Sequence, residues 1–267
     1  MTESRAIRAL LRTLTAGVLF FIYAPLVILA IYAYSSSRTL GWPPPGWTLQ
    51  WFAEAATNQR VLGAFAGSLA AAASATAIAL VLGTLAALAV QRYRFFGRET
   101  VSFLLVLPIA LPGVVSGIAL SATFRTMGID FGMLTIIVGH ATFCVVVAYN
   151  NVLARLRRLA RTTEEASADL GADTFETFRR ITIPAMRTAL LSGGLLAFAL
   201  SFDEVIVTNF TAGPGTETIP LWIFRSIQRP NELPVVNVVA LVLLVVSIIP
   251  VYLAQRISQG AGGGGRL

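Results

Sequence analysis

Six stretches of the chain, at roughly 14–34, 64–90, 100–124, 131–154, 188–210 and 235–255, are each apolar over the length that a helix needs to cross about 30 Å of hydrocarbon. Inside a bilayer the backbone must satisfy its own hydrogen bonds, and apolar runs of this length do so as α-helices. The expected fold is therefore an all-α membrane protein with six transmembrane helices. With 56% hydrophobic and 12% charged residues in 267, and a mean hydropathy of +0.75, the chain belongs in a bilayer. The expected organisation is an N-terminal segment over 1–13, a single transmembrane domain over 14–256 and a flexible tail over 257–267, ending in QGAGGGGRL. Arg5, Arg8 and Arg12 precede the first run as they would in a signal peptide. That run is longer than an h-region of roughly 7–15 residues, so it reads as a retained anchor.

Charge sets the expected orientation. With the N-terminus in the cytoplasm, fifteen arginines lie inside: Arg5, Arg8, Arg12, Arg92, Arg94, Arg98, Arg155, Arg157, Arg158, Arg161, Arg179, Arg180, Arg187, Arg256 and Arg266. Five lie outside: Arg38, Arg60, Arg125, Arg225 and Arg229. The bias has the sense of the positive-inside rule, and both termini are then cytoplasmic. Two long loops, 35–63 and 211–234, face out, and one, 155–187, faces in. The outer loops are rich in Trp, Pro and Gly, as in GWPPPGW at 41–47, which suits chain lying along the interface.

Several functions are excluded by composition. All 20 basic residues are arginine, and without lysine there is no Walker-type phosphate loop, Schiff-base nucleophile or lysine general base. If ATP drives this chain, another polypeptide binds it. One histidine, His140, and one cysteine, Cys144, cannot build a His/Cys zinc site, a disulfide or a CxxC pair, so no metal or cofactor is expected. They sit one turn apart on the fourth span and read as a packed pair. The net charge of +7 flanks apolar spans instead of forming a basic groove, so nucleic acid is not an expected partner.

The inner loop is the most informative segment. From 164 it reads EEASADLGADTFETFRRITIPAMRTALLSG, too polar to span and patterned as two short helices broken at Gly171, a residue suited to the left-handed position that ends a helix. Asp173 with Glu176 three residues later has capping-box spacing, so a second helix should start near Thr174 and carry Phe175, Phe178 and Ile181 near one face. Pro184 should then close it.

This loop resembles that of the inner-membrane permeases of binding-protein-dependent ABC importers, whose pattern is EAA, three residues, G, nine residues, I, one residue, LP. Glu165, Ala166, Gly171, Ile181 and Pro184 fall at those spacings, with Ser167 and Ile183 as conservative departures. The resemblance implies a type I importer permease fold with a cytoplasmic helix-turn-helix coupling loop. In that family the loop docks in a cleft of the ATPase subunit and transmits nucleotide-driven closure, a role that would fall to these five residues. The expected partners are a second permease subunit forming a heterodimer, two ATP-binding subunits, an extracytoplasmic substrate-binding protein and membrane lipid, in a bacterial inner membrane.

Most of the chain carries the likeness, and it points to the spermidine/putrescine permeases, closer to the second of their two permease subunits. The residues concerned are Pro108, Pro112, Gly117, Phe202, Asp203, Glu204, Thr211, Gly213, Pro214 and Pro220. A departure lies at Gly67 in FAGSL, where such permeases often have Asn. The implied cargo is a polyamine or related cation; the same scaffold would admit another amine, an amino-acid derivative or an anion.

Inside the membrane, Pro108 and Pro112 deprive the carbonyls of Leu104 and Pro108 of helical partners, so the third span should be kinked or discontinuous. Freed carbonyls suit a cation in a wet path, while a kink alone would serve packing. Asp203 is about 23 Å along the fifth helix from Thr188, which places Asp203 and Glu204 in its outer half. They are either an acidic gate on the path or a structural pair, anchored at the interface or bonded to a neighbouring helix. The second span has Gly63, Gly67, Ala71, Ala75, Ala79, Gly83 and Ala87 at i, i+4 spacing, a stripe for close intramolecular packing. A secondary transporter would have no reason for the polar inner loop. A membrane enzyme would need a partner for the acidic pair that the sequence lacks.

Overall fold

The computed structural model describes residues 5–160 and 162–262. Its helices are α1 (Arg5–Ala33), α2 (Gln50–Thr57), α3 (Gln59–Arg92), α4 (Arg98–Ala110), α5 (Gly113–Thr126), α6 (Met133–Leu156), α7 (Thr162–Asp169), α8 (Thr174–Thr177), α9 (Ile183–Phe202), α10 (Ile206–Thr211), α11 (Ile219–Ser226) and α12 (Leu233–Gly262). Among the described residues no strand occurs beyond one isolated bridge, Ser35 with Trp47. Five helical stretches are long and apolar enough to span: Ile7–Ala33, Gln59–Arg92, Met133–Leu156, Thr174–Phe202 and Leu233–Ser258. The all-α membrane fold is as expected.

The remaining span, expected over 100–124, is two helices. α4 and α5 meet at 106°. Pro112 cannot donate to a helix and pushes Leu111 to extended backbone (φ −81°, ψ 142°), so α4 ends there and Pro112 becomes the N-cap of α5. Pro108 is different: it stays inside α4, and the break belongs to Pro112.

Two other boundaries move. The fifth span was expected to run to 210, but α9 ends at Phe202, with Asp203 as its C-cap (φ −92°, ψ 0°), and α10 starts afresh at Ile206. The Glu204 carboxylate accepts from the Val207 amide at 2.9 Å, a side-chain bond that offers the backbone an alternative to the helical ladder. At the other end, the tail expected to be flexible from 257 is helical as far as Gly262; extending an existing helix costs far less than nucleating one. Residues 263–267 lie outside the described residues.

The chain forms two units, Met1–Leu62 with Ile223–Leu244, and Gly63–Trp222 with Val245–Leu267. In the first, the segment after α1 folds back on itself. Ser36 N donates to Gly46 O at 2.9 Å, Thr48 N to Tyr34 O at 2.8 Å, and Trp51 Nε1 to Ser35 O at 2.8 Å. The Arg38 guanidinium lies 5.4 Å from the Trp51 ring centroid, while Trp42 and Trp47 stay exposed, as suits an interfacial loop.

The second unit has a core made mainly by α3, α6 and α9. The small residues of α3 do the work assigned to them: Ala71, Ala75, Ala79 and Ala87 are fully buried, and a Cβ at Gly83 would lie 2.8 Å from the Tyr149 amide nitrogen of α6. Gly193 of α9 also approaches α6, closely enough that a Cβ would stand 3.1 Å from the Asn151 Cβ. Without a hydrophobic driving force between helices in lipid, contact at this range is what holds them.

Candidate functional site

The polar segment between α6 and α9 folds as a helix-turn-helix. α7 ends with Gly171 at φ +85°, where its amide donates to Ala168 O at 2.9 Å and the Ala172 amide to Ser167 O at 3.1 Å. Asp173 Oδ1 then accepts from the Glu176 amide at 2.7 Å and starts α8 at Thr174. The Glu176 carboxylate turns outward to Arg180 at 3.2 Å, so it acts as an ion-pair partner along the helix.

Pro184 does not close the second helix. α8 runs through a π-helical turn, Phe178–Thr182, directly into α9, and Ile183 N bonds to Phe178 O, five residues back. The wider turn lets the helix pass a residue without an amide hydrogen, so Pro184 sits in the first turn of α9. The second helix of this segment and the fifth span are therefore one continuous rod.

Of the five motif residues, Glu165 and Ala166 are exposed on α7, Gly171 is at the turn, Ile181 is half-buried in the π turn, and Pro184 is exposed. Beside them Leu170 and Phe175 are 89% and 70% exposed, an apolar tip on an otherwise charged knob. Phe178 and Ile181 are half-buried and do not join this tip.

What fastens the knob was not visible in the motif. Glu164, the neighbour of Glu165, accepts from the Arg92 guanidinium at the end of α3 and, through the same Oε1, from Thr182 Oγ1 at 2.8 Å. Ser167 Oγ and Thr177 Oγ1 are 3.0 Å apart and tie α7 to α8, and Arg155 Nε donates to Ala185 O at 2.9 Å. A hollow of about 430 Å³ opens between Arg92, Tyr93, Glu164 and Phe178. Arg92 and Glu164 are 72 residues apart, and no local pattern announces their pairing.

A second constellation forms where two helices break. α5 and α10 pack together: a Cβ at Gly113 would lie 3.5 Å from Ile206 Cγ2, and one at Gly117 would lie 2.6 Å from Phe210 Cδ2. The break at Leu111–Pro112 is thereby brought beside the one at Asp203–Val205. Asp203 is exposed, and its Oδ1 accepts from Ser247 Oγ of α12 at 2.7 Å. Glu204 is half-buried and caps α10 through Val207. Pro112 is exposed at the α5 start, and Pro108 is half-buried one turn back in α4. The two carboxylates are bonded to different elements, Asp203 to α12 and Glu204 to α10.

Behind them lies a buried polar chain. His140 Nδ1 is 2.7 Å from Ser201 Oγ and Nε2 is 2.8 Å from Thr208 Oγ1, whose hydroxyl donates to Glu204 O at 2.8 Å. Cys144 Sγ lies 3.3 Å from Ala197 O. His140 thus ties α6 to both sides of the α9–α10 break. Among the described residues no group of His, Cys, Asp or Glu is placed to hold a metal.

Residues 79–261 match the family model described as binding-protein-dependent transport system inner membrane component. The chain is 37% identical over 248 residues to the putrescine transport system permease protein PotI of Escherichia coli (strain K12), covering 88% of this chain and 87% of that one. It is 35% identical over 240 residues to the spermidine/putrescine transport system permease protein PotC of the same strain, covering 90% of each. Its fold is similar to that of a chain in the crystal structure of a bacterial ABC transporter involved in the import of the acidic polysaccharide alginate, with a TM-score of 0.74, 15% identity and 95% of each chain covered.

Proposed function

The chain belongs to the family of binding-protein-dependent transport system inner membrane components, and from that premise we propose that it forms half of the translocation path of an ATP-driven importer for a polyamine. The family is one of transport subunits in the inner membrane, so this chain is a permease and not an enzyme. The observation that carries the cargo is its 35–37% identity, over about nine-tenths of its length, to permeases named for putrescine and spermidine. Putrescine and spermidine are flexible cations, and the exposed carboxylate of Asp203 beside the α4–α5 break suits them.

Coupling to ATP falls to the knob. The exposed tip of Leu170 and Phe175 beside Glu165 is the kind of surface a cleft on an ATP-binding subunit would take, and two such subunits serve two permeases. The continuous α8–α9 rod and the Arg92–Glu164–Thr182 contact offer two mechanical routes from the knob into spans. The permease partner is a second, homologous chain, and an extracytoplasmic binding protein delivers the cargo. Both termini and the knob face the cytoplasm, in line with the arginine bias.

The test is reconstitution of the four-component complex in liposomes with labelled putrescine and spermidine supplied through the binding protein. ATP-dependent uptake of either is the expected result. Tight coupling of hydrolysis to uptake of another solute, with neither polyamine transported, would replace the cargo and leave the family standing.

A further inference from the structure

At the end of α6 a pocket of about 190 Å³ is lined by Asn151, Arg155 and Arg158, by Thr188 and Ser192 of α9 and by Ser258 of α12. Two guanidiniums and three hydroxyls offer donors, and no carboxylate lines the cavity. Asn151 already gives one of its two Nδ2 hydrogens to Val147 O at 2.9 Å. Arg155 is oriented by its Nε bond to Ala185 O, which leaves the terminal nitrogens of a planar fork on a fixed side chain. Ser192 is 5% exposed, and its hydroxyl has only a long 3.4 Å contact with Ala189 O. A buried hydroxyl so weakly bonded gains by donating to an anion. A cation, including a polyamine, would meet two positive charges here.

Position narrows the anion further. Arg155 is the next-to-last residue of α6, a helix long and apolar enough to span. The pocket is therefore at headgroup depth, where phosphate is the abundant anion. Arg157, between the two lining arginines, is exposed and does not line the cavity, so a positive helix end alone does not explain the arrangement.

We propose that this pocket binds a phosphate group, clamped by Arg155 and Arg158 and bonded by the hydroxyls of Thr188, Ser192 and Ser258, and that an acidic phospholipid supplies it. Two guanidiniums matched to one phosphate recognise it in forked geometry, which a single surface arginine cannot do.

Native mass spectrometry of the intact importer in detergent, titrated separately with dioleoyl-phosphatidylglycerol, dioleoyl-phosphatidylcholine and inorganic phosphate, tests this. Phosphatidylglycerol should be retained in preference to phosphatidylcholine, whose choline cation the arginines repel. Arg158→Gln should weaken retention by about tenfold while Arg157→Gln binds as the unaltered protein does. Arg158 is exposed, so its replacement leaves the fold intact even if Arg155→Gln, which loses the Ala185 bond, does not. Binding of inorganic phosphate alone, with the same dependence on Arg158, keeps the phosphate site and changes its source. Equal retention of the two lipids, or retention indifferent to Arg158, overturns the proposal.

Discussion

Arg92, the last residue of α3, is ion-paired with Glu164, the third residue of α7, and the two side chains are only 17% and 23% exposed. At that burial the pair is screened far less than a surface pair. Because Glu164 also accepts from Thr182, one carboxylate joins a span, the knob and the base of the α9 rod.

If that joint transmits motion, Glu164→Gln and Arg92→Gln should each slow polyamine uptake by roughly tenfold, consistent with loss of one charge-assisted contact of about 1.5 kcal/mol. Hydrolysis by the ATP-binding subunits should persist and become uncoupled from uptake. The charge-swapped pair Arg92→Glu with Glu164→Arg should recover part of the loss. Unchanged coupling ratios in both single variants, measured in proteoliposomes, would assign the contact to stability alone.

Gly171 isolates backbone strain from crowding, since a Cβ there would meet nothing within 4 Å while φ is +85°. Gly171→Val should cost about 1–2 kcal/mol and misaim the knob, and Gly171→Asn should cost less, because Asn tolerates the left-handed region. Thermal unfolding of the purified complex gives the ranking, and uptake should follow it. Equal effects of Val and Asn would contradict the reading of the turn.

Gly67 presents the opposite case: a side chain there would run into the backbone carbonyl of Glu217. The loop is held close by the bond from the Ile219 amide to Ser68 Oγ at 2.9 Å, so the carbonyl has little room to retreat. Gly67→Ala is expected to destabilise by about 1–3 kcal/mol, the usual range for overpacking. Gly63→Ala, one turn earlier and open, should be neutral or mildly stabilising. Melting temperatures of the two variants should therefore move in different directions or by clearly different amounts.

Asp203 and Glu204 should separate on substitution. Glu204→Ala removes the side-chain cap on α10 at a cost of about 1 kcal/mol and should lower stability more than it alters cargo affinity. Asp203→Asn keeps an oxygen to accept from Ser247, so stability should hold while uptake of a cation falls by roughly tenfold. Competition uptake assays at varied putrescine concentration decide it. Intact uptake in Asp203→Asn would make that carboxylate structural and remove it from the path.

Orientation is open to a direct measurement. Single cysteines introduced into a Cys144→Ala background should be labelled at position 173 only after the membrane is breached, and at position 42 in intact cells. Labelling of 173 from outside intact cells would invert the topology.

Much of this was legible in single segments. Apolar length made the spans visible, the missing amide hydrogens of Pro108 and Pro112 pointed to a kink or break in the third span, and Gly171 with Asp173 announced the turn and the next helix. All three are local effects, decided by a residue and its neighbours within one turn. The motif pointed at Glu165, yet the fastening carboxylate is Glu164, and which of two adjacent acids faces inward depends on the rotation of α7 about its axis against α3. Only packing fixes that rotation. The same holds for Asp203 and Glu204, adjacent in the chain and bonded to α12 and α10 respectively. Pro184, expected to close a helix, instead lies within a continuous rod, because a π turn just before it absorbs the missing hydrogen bond. Hydrophobic length and backbone chemistry are properties of a segment and can be read along it; the partner of a polar side chain is a property of distant segments brought together, and the folded chain alone supplies it.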